Sequence, residues 1–365
     1  MFDQGSEERT ARFFVFARER HAIYLRRRAR RGWPWTDDPV LREFYFTNVF
    51  RELDRTTAWF REHVRGPMRD QPEVLLATVL FRWFNRIETG EAIFQQTGIQ
   101  SQDGTPTEIA TAWDCHVGSK AKNWTPVLHD AITAYCGGGP YVTGAYIIKT
   151  PDGVSKLEGV LWCLEQFMLQ EHDYPGATAT AALGWREVAD MLLANRTWDD
   201  PEARFGSLEQ TWSWLRQFPY MGDFMAYEVV TDLRHTALLD WAPDVLTWAN
   251  PGPGAARGLS RLLYDDPSVL KRGERDRGAL VRTMRLLLEA SRDPEYWPQA
   301  CGSPDDAWLA LDPGPLAQVA DIWDPKDTAA WPAWEMRDVE HTLCEWDKYE
   351  RARTGEGRMK RRYVP

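Results

Sequence analysis

Residues 205–258 restrict the possible folds most, because they have the pattern of two helices joined by a short turn. Ser207 followed by Gln210 has the form of a helix N-cap with a capping box. Apolar residues then recur at helical spacing until the sequence FPYMG at 218–222, whose proline and glycine break the pattern. A second helix is predicted after this turn, with Asp232 near its end. The stretch therefore predicts a helical hairpin, either an ordinary structural one or a DNA-binding one.

The rest of the chain also favours helices. Helices are predicted at 7–31, 39–64 and 72–88, and only 141–157 has a composition suited to strands. The fold class predicted is all-α. A glycine run followed by Pro-Tyr predicts a second candidate hairpin at 135–146. A helix, a short glycine turn and a helix with a late aspartate resemble the layout of the helix-hairpin-helix DNA glycosylases, although the usual GxG form of the turn is missing. This resemblance favours 218–228 over 135–146 as the DNA-binding hairpin, because Asp232 follows it shortly.

Charge and composition limit the function. The 365 residues are 43% hydrophobic, enough for one large domain or two, and the net charge of −10 disfavours a simple electrostatic nucleic-acid binder. Residues 1–62, however, carry 13 basic and 10 acidic side chains, and residues 348–362 carry 7 and 2. The two ends could therefore form a basic surface on an acidic body. The 19 tryptophans suit either a core or stacking on nucleobases.

Several common motifs are missing from the sequence. There is no phosphate-binding GK[ST] loop, no GxGxxG and no HExxH, so no nucleotide cofactor and no metal site are expected. The five cysteines are widely spaced and fit reduced thiols. No apolar run is long enough to span a membrane. A cytoplasmic protein is predicted.

Two predicted helices combine arginine and asparagine. Helix 39–64 would place Asn48, Arg51 and Arg55 on one face, and helix 72–88 repeats the arrangement with Arg82, Asn85 and Arg86. A guanidinium group matches the oxygens of phosphate and carboxylate with two parallel hydrogen bonds. The pattern indicates either an anion or DNA-phosphate site, or mutual salt bridges.

Two later segments add candidate residues. The sequence PGPGAARG at 251–258 places Gly252 and Gly254 at a helix start, where backbone amides can hold an anion, with Arg257 beside them. The last predicted helix spaces His341, Glu345 and Lys348 at i, i+4 and i+7, before a basic tail. A capped loop and a solvated charged helix are the alternative interpretations.

Five blocks in this order resemble the α-glutamyl/putrescinyl thymine pyrophosphorylase family: WTDDPVLREFYFTNVFRELDR, LFRWFNRIET, FPYMGDFMAYEVVTDLR, GPGAARGL and EHTLCEWDKYERARTGEGR. The resemblance covers roughly residues 20–362. The same blocks occur in the helical domain attached to some 5-hydroxymethyluracil DNA kinases. Because the kinase's phosphate-binding loop does not occur in this sequence, the resemblance favours the stand-alone transferase.

The resemblance implies a helix-hairpin-helix DNA-glycosylase-like fold forming one large helical unit or two lobes. Its parts would be an arginine-rich segment (1–130), a hairpin segment (131–300), and a C-terminal wrap with a basic tail (301–365). The implied activity replaces the phosphate or pyrophosphate of an activated 5-hydroxymethyluracil in DNA with an amine, on a flipped-out base. The implied partners are modified DNA, an amino acid or polyamine as co-substrate, and a 5-hydroxymethyluracil DNA kinase. The location would be the host cytoplasm if a bacteriophage encodes the protein.

Roles for individual residues follow from the same resemblance. Asp232 occupies the place of the glycosylase aspartate and would act as base or hold the flipped nucleotide, with Glu345 and His341 as the other candidates. The substrate and phosphate candidates are Asn48, Arg51, Arg55, Arg82, Asn85, Arg86, Arg257 and Lys348. The DNA-contact candidates are Gly222, Gly252, Gly254, Arg358 and Arg361.

Two other functions remain open at this point. A base-excision glycosylase would use Asp232 against the sugar cation and leave abasic sites. A non-catalytic subunit would bind modified DNA without turnover. The sequence identifies neither the amine nor the number of phosphates in the leaving group.

Overall fold

The computed structural model describes residues 4–96, 124–144, 147–169, 183–194, 206–270, 274–298, 331–357 and 361–363. The chain divides into two compact units. Unit 1 combines the chain ends, Met1–Asp54 and Val245–Pro365, and unit 2 is the continuous segment Arg55–Asp244. The boundaries of these units differ from those of the three predicted parts (1–130, 131–300 and 301–365), because residues 1–54 group with the C-terminal segment.

Unit 1 contains five of the described α-helices. They are α1 (Gln4–Arg28), α2 (Pro39–Glu43), α11 (Pro253–Tyr264), α12 (Glu274–Ala290) and α13 (Met336–Thr354). A 3₁₀ turn spans Arg51–Leu53. Helix α13 packs against α1, α11 and α12, and is the central helix of this unit.

Helices α11 and α13 pack at close range because α11 presents glycine to α13. A Cβ on Gly258 would lie 2.1 Å from the Leu343 carbonyl oxygen, and one on Gly254 would lie 2.3 Å from the Cys344 sulfur. Only glycine fits such an approach. The glycines of the sequence PGPGAARG at 251–258 thus pack two helices together.

Aromatic side chains fill the core of unit 1. Phe13 contacts Trp334 and Trp346 edge-on, with ring centroids 6.0 Å apart in both pairs. Trp297 contacts Trp331 at 5.0 Å. Much of the tryptophan content therefore serves packing, which was one of its two predicted uses.

Unit 2 contains the other described α-helices. They are α3 (Arg55–Phe60), α4 (Glu73–Phe84), α5 (Ile87–Gly90), α6 (Trp124–Cys136), α7 (Lys156–Leu169), α8 (Trp185–Ala194), α9 (Leu208–Leu215) and α10 (Asp223–Leu233). Two π-helical turns, Arg61–Arg65 and Glu91–Gln96, follow α3 and α5. Helix α4 is buried from Val74 to Phe84, as its apolar sequence predicts.

The helical hairpin at α9 and α10 is confirmed in its local structure. Ser207 and Gln210 form both bonds of the predicted capping box. The Trp212 indole N–H donates to the Asp223 carbonyl (2.9 Å) and ties the two helices together across the turn. Helix α10 packs on α9 and α4. A relation of this hairpin to DNA glycosylases stays a prediction.

Two predicted elements are wrong. The single helix at 39–64 ends at Glu43, and residues 44–50 are not helical. This segment is instead held by other elements, including residues 361–363: Tyr45 N–H donates to the Arg361 carbonyl (3.3 Å), and Tyr363 N–H donates to the Glu43 carbonyl (2.8 Å). Asn48, Arg51 and Arg55 therefore do not share a helical face.

The second candidate hairpin, at 135–146, is also wrong where it is described. Helix α6 ends at Cys136, and Gly137, Gly138 and Gly139 all adopt positive φ. Residues 137–144 form no helix, and residues 145 and 146 lie outside the described part. Three successive left-handed glycines cannot continue a right-handed helix.

The all-α prediction is confirmed for the described residues, where pairing of extended segments is limited to an isolated bridge between Phe44 and Arg362. Across the same part of the chain, each helix is too short or too polar to cross a membrane.

Candidate functional sites

A buried arginine–aspartate cluster, formed by Arg65, Arg82, Asn85 and Asp232, lies inside unit 2. Asp232 projects from α10 and is 0% exposed. Its Oδ2 accepts from Arg82 Nε at 2.5 Å, and its Oδ1 accepts from Arg82 Nη2 at 2.8 Å and from Arg65 Nη1 at 2.9 Å. Both carboxylate oxygens are thus engaged by guanidinium groups.

Arg82 is satisfied on every side of its guanidinium group. Besides Asp232, it donates to Asn85 Oδ1 at 2.7 Å and Thr57 Oγ1 at 3.2 Å, and its Nη1 lies 3.9 Å from Glu228. Asn85 is placed for this contact because it ends α4 in the left-handed conformation (φ 45°). The sequence predicted Asp232, Arg82 and Asn85 as site residues, and the structure brings these three together. In this conformation they bind one another.

The other predicted residues of unit 2 lie apart from this cluster. Arg55 is exposed at the start of α3, and Arg86 pairs with Glu88 at 3.1 Å. Gly222 is exposed at the N-cap of α10. Their predicted contacts with phosphate or DNA stay predictions.

A second group, here called the α13 cluster, lies in unit 1 and consists of Thr47, Arg51, His341, Glu345 and Lys348. Glu345 Oε2 accepts from Thr47 N–H at 3.1 Å and from Lys348 Nζ at 3.2 Å. His341 Nε2 lies 2.8 Å from the Thr47 hydroxyl and 3.1 Å from the Asn48 carbonyl oxygen. The predicted spacing on α13 therefore converges on the segment at 44–50.

The protonation of His341 follows from its surroundings. Burial, reinforced by the charges of Arg51 and Arg337, holds the pKa of His341 well below its ordinary value, so the ring is neutral at physiological pH. Because a carbonyl oxygen can only accept, the bond to Asn48 assigns the proton to Nε2. Nδ1 then keeps a lone pair that can accept a hydrogen bond, and the lowered pKa makes it a weaker base than a free imidazole.

The segment that faces α13 is fixed by buried polar contacts. Asn48 Nδ2 donates to Asp54 Oδ1 (2.9 Å) and to the Leu53 carbonyl (2.8 Å), while Asn48 Oδ1 accepts from Arg20 Nη2 (2.9 Å). Asn48 thus orients backbone rather than meeting Arg51 on a helical face. Lys348 Nζ donates to the Tyr45 carbonyl and lies 4.5 Å from the centre of the Phe46 ring.

The donor groups at the glycine-rich start of α11 already bind carboxylates of the protein itself. Gly252 N–H, at the start of α11, donates to Glu340 Oε1 at 3.0 Å. Arg257 and Arg261 donate to the two oxygens of Asp347, each at 3.0 Å. Gly254 is buried against α13. The carboxylates that these groups bind belong to α13. The predicted contacts of Gly252 and Gly254 with DNA, and of Arg257 with the substrate phosphate, stay predictions.

The two basic chain ends meet in unit 1 as the sequence suggested. The basic–aromatic surface consists of Arg27, Arg30, Arg31, Trp35, Arg361, Arg362 and Tyr363. The Arg27 guanidinium lies 5.2 Å from the Trp35 ring centre and 5.8 Å from that of Tyr363, and the two rings meet edge-on at 5.6 Å. Arg30, Arg31, Arg361 and Arg362 are exposed. Arg358 lies outside the described residues.

Sequence reasoning missed three contributors. Arg65 gave no signal, since it ends a short charged stretch, REHVR, that resembles a solvated helix end. Thr47 and Arg20 act through tertiary contacts that spacing does not reveal. Among the described residues, no group of three or more His, Cys, Asp or Glu side chains is placed to hold a metal ion.

Comparison with known proteins relates the chain to the 5-hmdU DNA kinases. Residues 7–359 match the family described as 5-hmdU DNA kinase, helical domain. A 5-hmdU DNA kinase of Bacillus phage SP10 is 27% identical over 270 residues, which cover 69% of this chain and 36% of that kinase. The chain therefore aligns with about a third of its relative's length. No solved structure matches. With nearly its whole described length matched, the chain belongs to the family of the 5-hmdU DNA kinase helical domain.

Proposed function

We propose that this protein replaces the phosphate or pyrophosphate of an activated 5-hydroxymethyluracil in DNA with an amine. The match of residues 7–359 to the helical domain of 5-hmdU DNA kinase carries this proposal, because it associates the chain with that modified base. The block resemblance to thymine pyrophosphorylases supplies the finer step. A kinase that phosphorylates the hydroxymethyl group would provide the substrate.

The reaction needs a base for the amine proton and cationic groups for the departing anion. The amine nitrogen forms a bond to the methylene carbon, and the bond from that carbon to the phosphate oxygen breaks, so its electron pair leaves with the phosphate or pyrophosphate. The nitrogen then loses a proton to a base. Cationic groups stabilise the departing anion, and a carboxylate or neutral imidazole accepts the proton.

The α13 cluster supports these roles best. Neutral His341 keeps a lone pair, and Glu345 is partly exposed, with 14% of its side-chain surface accessible. Arg51 and Lys348 supply positive charge around them. We assign proton acceptance to Glu345 or His341, and stabilisation of the leaving group to Arg51 and Lys348.

Asp232 receives a different role in this proposal. Its two oxygens accept three hydrogen bonds from Arg65 and Arg82 and have no exposed surface. A carboxylate so placed cannot reach an amine without breaking a buried ion pair, which is costly. We assign Asp232 to hold the two arginines in place, rather than to act as the base.

The basic–aromatic surface is the proposed DNA contact. Guanidinium groups neutralise phosphates and aromatic rings stack on bases, and this surface has both. It also answers the objection from the net charge of −10, because it brings the two basic ends of the chain together in unit 1. The exposed arginines would fix the strand by its backbone.

Two competing functions remain distinct. A base-excision glycosylase would release a base, and a DNA-binding subunit would leave the DNA unchanged. The buried position of Asp232 weighs against the glycosylase, whose carboxylate must face the sugar cation.

One experiment separates the three functions. Duplex DNA containing 5-hydroxymethyluracil is incubated with a 5-hydroxymethyluracil DNA kinase, ATP, a panel of amino acids and polyamines, and this protein. The DNA is then digested and its nucleosides are identified by mass. A heavier nucleoside bearing an amine is expected, whereas abasic sites would support the glycosylase and unchanged phosphorylated nucleoside the binding subunit.

Variants locate the chemistry. Glu345→Gln and His341→Gln are expected to reduce amine transfer by about 10²-fold or more, the usual range for removing a general base. Glu289→Gln, whose side chain is 77% exposed on α12, is the matched control and keeps full activity. Full transfer by both α13 variants would overturn the assignment.

A further inference from the structure

A cavity in unit 1 lies between α1, α13 and the loop at 34–38, outside the α13 cluster. Its volume is about 860 Å³, within the usual range for ligand pockets. Its lining includes Arg12, Arg18, Trp35, Asp37, Tyr349 and Arg353. We propose that this cavity binds a phosphorylated pyrimidine nucleotide.

Aromatic rings form part of the wall. Trp346 and Tyr349 are stacked with ring centres 5.6 Å apart and an angle of 18° between them. Phe16 meets Tyr349 at 4.8 Å, and Trp35 lines the cavity from the loop. Trp346 and Phe16 are almost fully buried (1% and 3% exposed). The partly exposed rings of Tyr349 and Trp35 are therefore the ones on which a planar ligand such as a nucleobase would stack.

The cavity also has spare guanidinium donors. Arg12 and Arg353 share the carboxylate of Glu350, each with a bond of 2.8 Å. Arg18 donates to the Glu295 carbonyl at 2.7 Å, and within the described part of the chain it has no carboxylate partner. Since each guanidinium group has five N–H donors, these three can still bind a phosphate group.

The cavity also contains carboxylates, which would repel a simple anion but can accept hydrogen bonds from a nucleotide. Glu19 is paired with Arg26 at 2.7 Å, and Asp38 accepts from the Tyr349 hydroxyl at 2.6 Å and caps α2. Asp37 is exposed at the cavity and can accept from a ligand N–H. A phosphorylated uracil or thymine nucleotide combines an anion, a planar ring and a ring N–H donor, whereas cytosine has no ring N–H.

The cavity is continuous with the basic–aromatic surface. Trp35 belongs to both, and Arg26 in the cavity wall precedes Arg27, which stacks on Trp35. A DNA strand held on that surface could therefore place an extruded base in the cavity. Phe46 borders both the cavity wall and the α13 cluster, since its ring centre lies 6.2 Å from that of Tyr349 and 4.5 Å from Lys348 Nζ. This part of the inference rests on the proposed function.

Calorimetric titration of the whole protein tests the inference. The probes are deoxyuridine 5′-monophosphate, deoxyuridine, inorganic phosphate, glutamate, and a single-stranded oligonucleotide with one deoxyuridine. The monophosphate is expected to bind more tightly than deoxyuridine or phosphate. Tighter binding of the oligonucleotide identifies a base in a strand as the source, and tighter binding of the monophosphate identifies a free nucleotide.

Two pairs of variants locate the site. Arg18→Ala and Trp35→Leu are expected to weaken nucleotide binding about tenfold or more. Arg292→Ala and Trp33→Leu remove an exposed arginine and an exposed tryptophan that do not line the cavity, and should change binding by less than about twofold. Thermal melting confirms that each variant is folded.

The failures are distinguishable. If no nucleotide binds, if glutamate binds instead, or if the cavity variants bind as the controls do, the inference is wrong. Wild-type amine transfer by Arg18→Ala, whose residue lies outside the basic–aromatic surface, would leave the proposed function standing without this site. If the cavity variants lose nucleotide binding and the protein modifies no base, the site stands without the proposed function.

Discussion

Arg82 grips Asp232 with two parallel hydrogen bonds, Nε to Oδ2 at 2.5 Å and Nη2 to Oδ1 at 2.8 Å, in the interior of unit 2. Arg65 adds a third bond at 2.9 Å. The two guanidinium groups are no more than 2% exposed. Asp232 therefore neutralises two buried cations, and its loss would leave both without their shared anion.

Asp232→Asn is expected to lower the free energy of unfolding by about 3–5 kcal/mol, the usual cost of breaking a buried ion pair. Urea denaturation measures the change. Asp190→Asn is the control, because its pair with Arg186 is long (3.8 Å) and 59% of the Asp190 side chain is exposed. The control should change stability by less than about 0.5 kcal/mol. A stable Asp232→Asn protein without amine transfer would instead restore Asp232 as the base.

Gly258→Ala should destabilise unit 1 by about 1–3 kcal/mol or more, because the added Cβ would lie 2.1 Å from the Leu343 carbonyl oxygen and force α11 away from α13. Gly278→Ala, at an exposed position within α12, is the matched control. Alanine favours helix over glycine there, so stability should rise by about 0.5–1 kcal/mol. Thermal melting compares the two, and equal effects would disprove the close approach.

Asp338→Asn should alter the dependence of stability on pH. Burial, with the charge of Glu335, raises the pKa of Asp338 to about 8. Between its ordinary pKa and about 8, the folded state holds a proton that the unfolded state lacks. This group therefore makes the wild type less stable as pH rises, by up to about 1.4 kcal/mol per pH unit.

Urea denaturation at pH 5, 6, 7 and 8 measures this difference between wild type and Asp338→Asn. The advantage of the variant should grow with pH, since asparagine carries no proton to lose. A constant difference across the four pH values would contradict the prediction.

His341→Gln acts in the opposite direction. The pKa of His341 is held well below 6.5 by burial and by Arg51 and Arg337, so below about pH 6.5 the unfolded state binds a proton that the folded state refuses. The wild type should lose stability relative to the variant as pH falls from 7 to 5. Above about pH 7 the difference should be constant. If the wild type instead lost stability relative to His341→Gln as pH rises, the assignment of a lowered pKa to His341 would be wrong.

Arg30→Ala and Arg361→Ala should each weaken DNA binding and reduce the slope of log K against log salt by about 1. Both arginines are exposed on the basic–aromatic surface. Fluorescence anisotropy with a labelled oligonucleotide between 50 and 200 mM salt gives the slopes. Arg292→Ala, remote from this surface in sequence and 53% exposed, should retain the wild-type slope. Equal slopes for all variants would place the DNA elsewhere.

The sequence predicted what local periodicity and capping decide. The buried helix α4, the capping box at Ser207 and the hairpin at α9 and α10 all follow from residues close in the chain. The spacing of His341 and Glu345 on α13 was likewise readable, because a helix places i and i+4 together. These features need no knowledge of distant partners.

What the sequence could not reveal depends on distant partners. Residues 44–50 have helical periodicity, yet they do not form a helix. Tertiary contacts with Glu345, His341 and residues 361–363 hold the backbone there instead. Arg82 had the spacing of a phosphate ligand, and its partner lies 150 residues away. An arginine satisfied by a buried carboxylate and one open to a ligand look the same in sequence.

The composition of unit 1 from two chain ends has a consequence during translation. Helix α1 leaves the ribosome early, while its partner α13 follows after about 300 further residues of synthesis. At roughly 5–20 residues per second, the apolar face of α1 waits on the order of 15–60 s for that partner. Residues 55–244 are complete before then. Phe13, Phe14 and Phe16, which are buried in the folded unit, therefore stay exposed on nascent α1 during that interval.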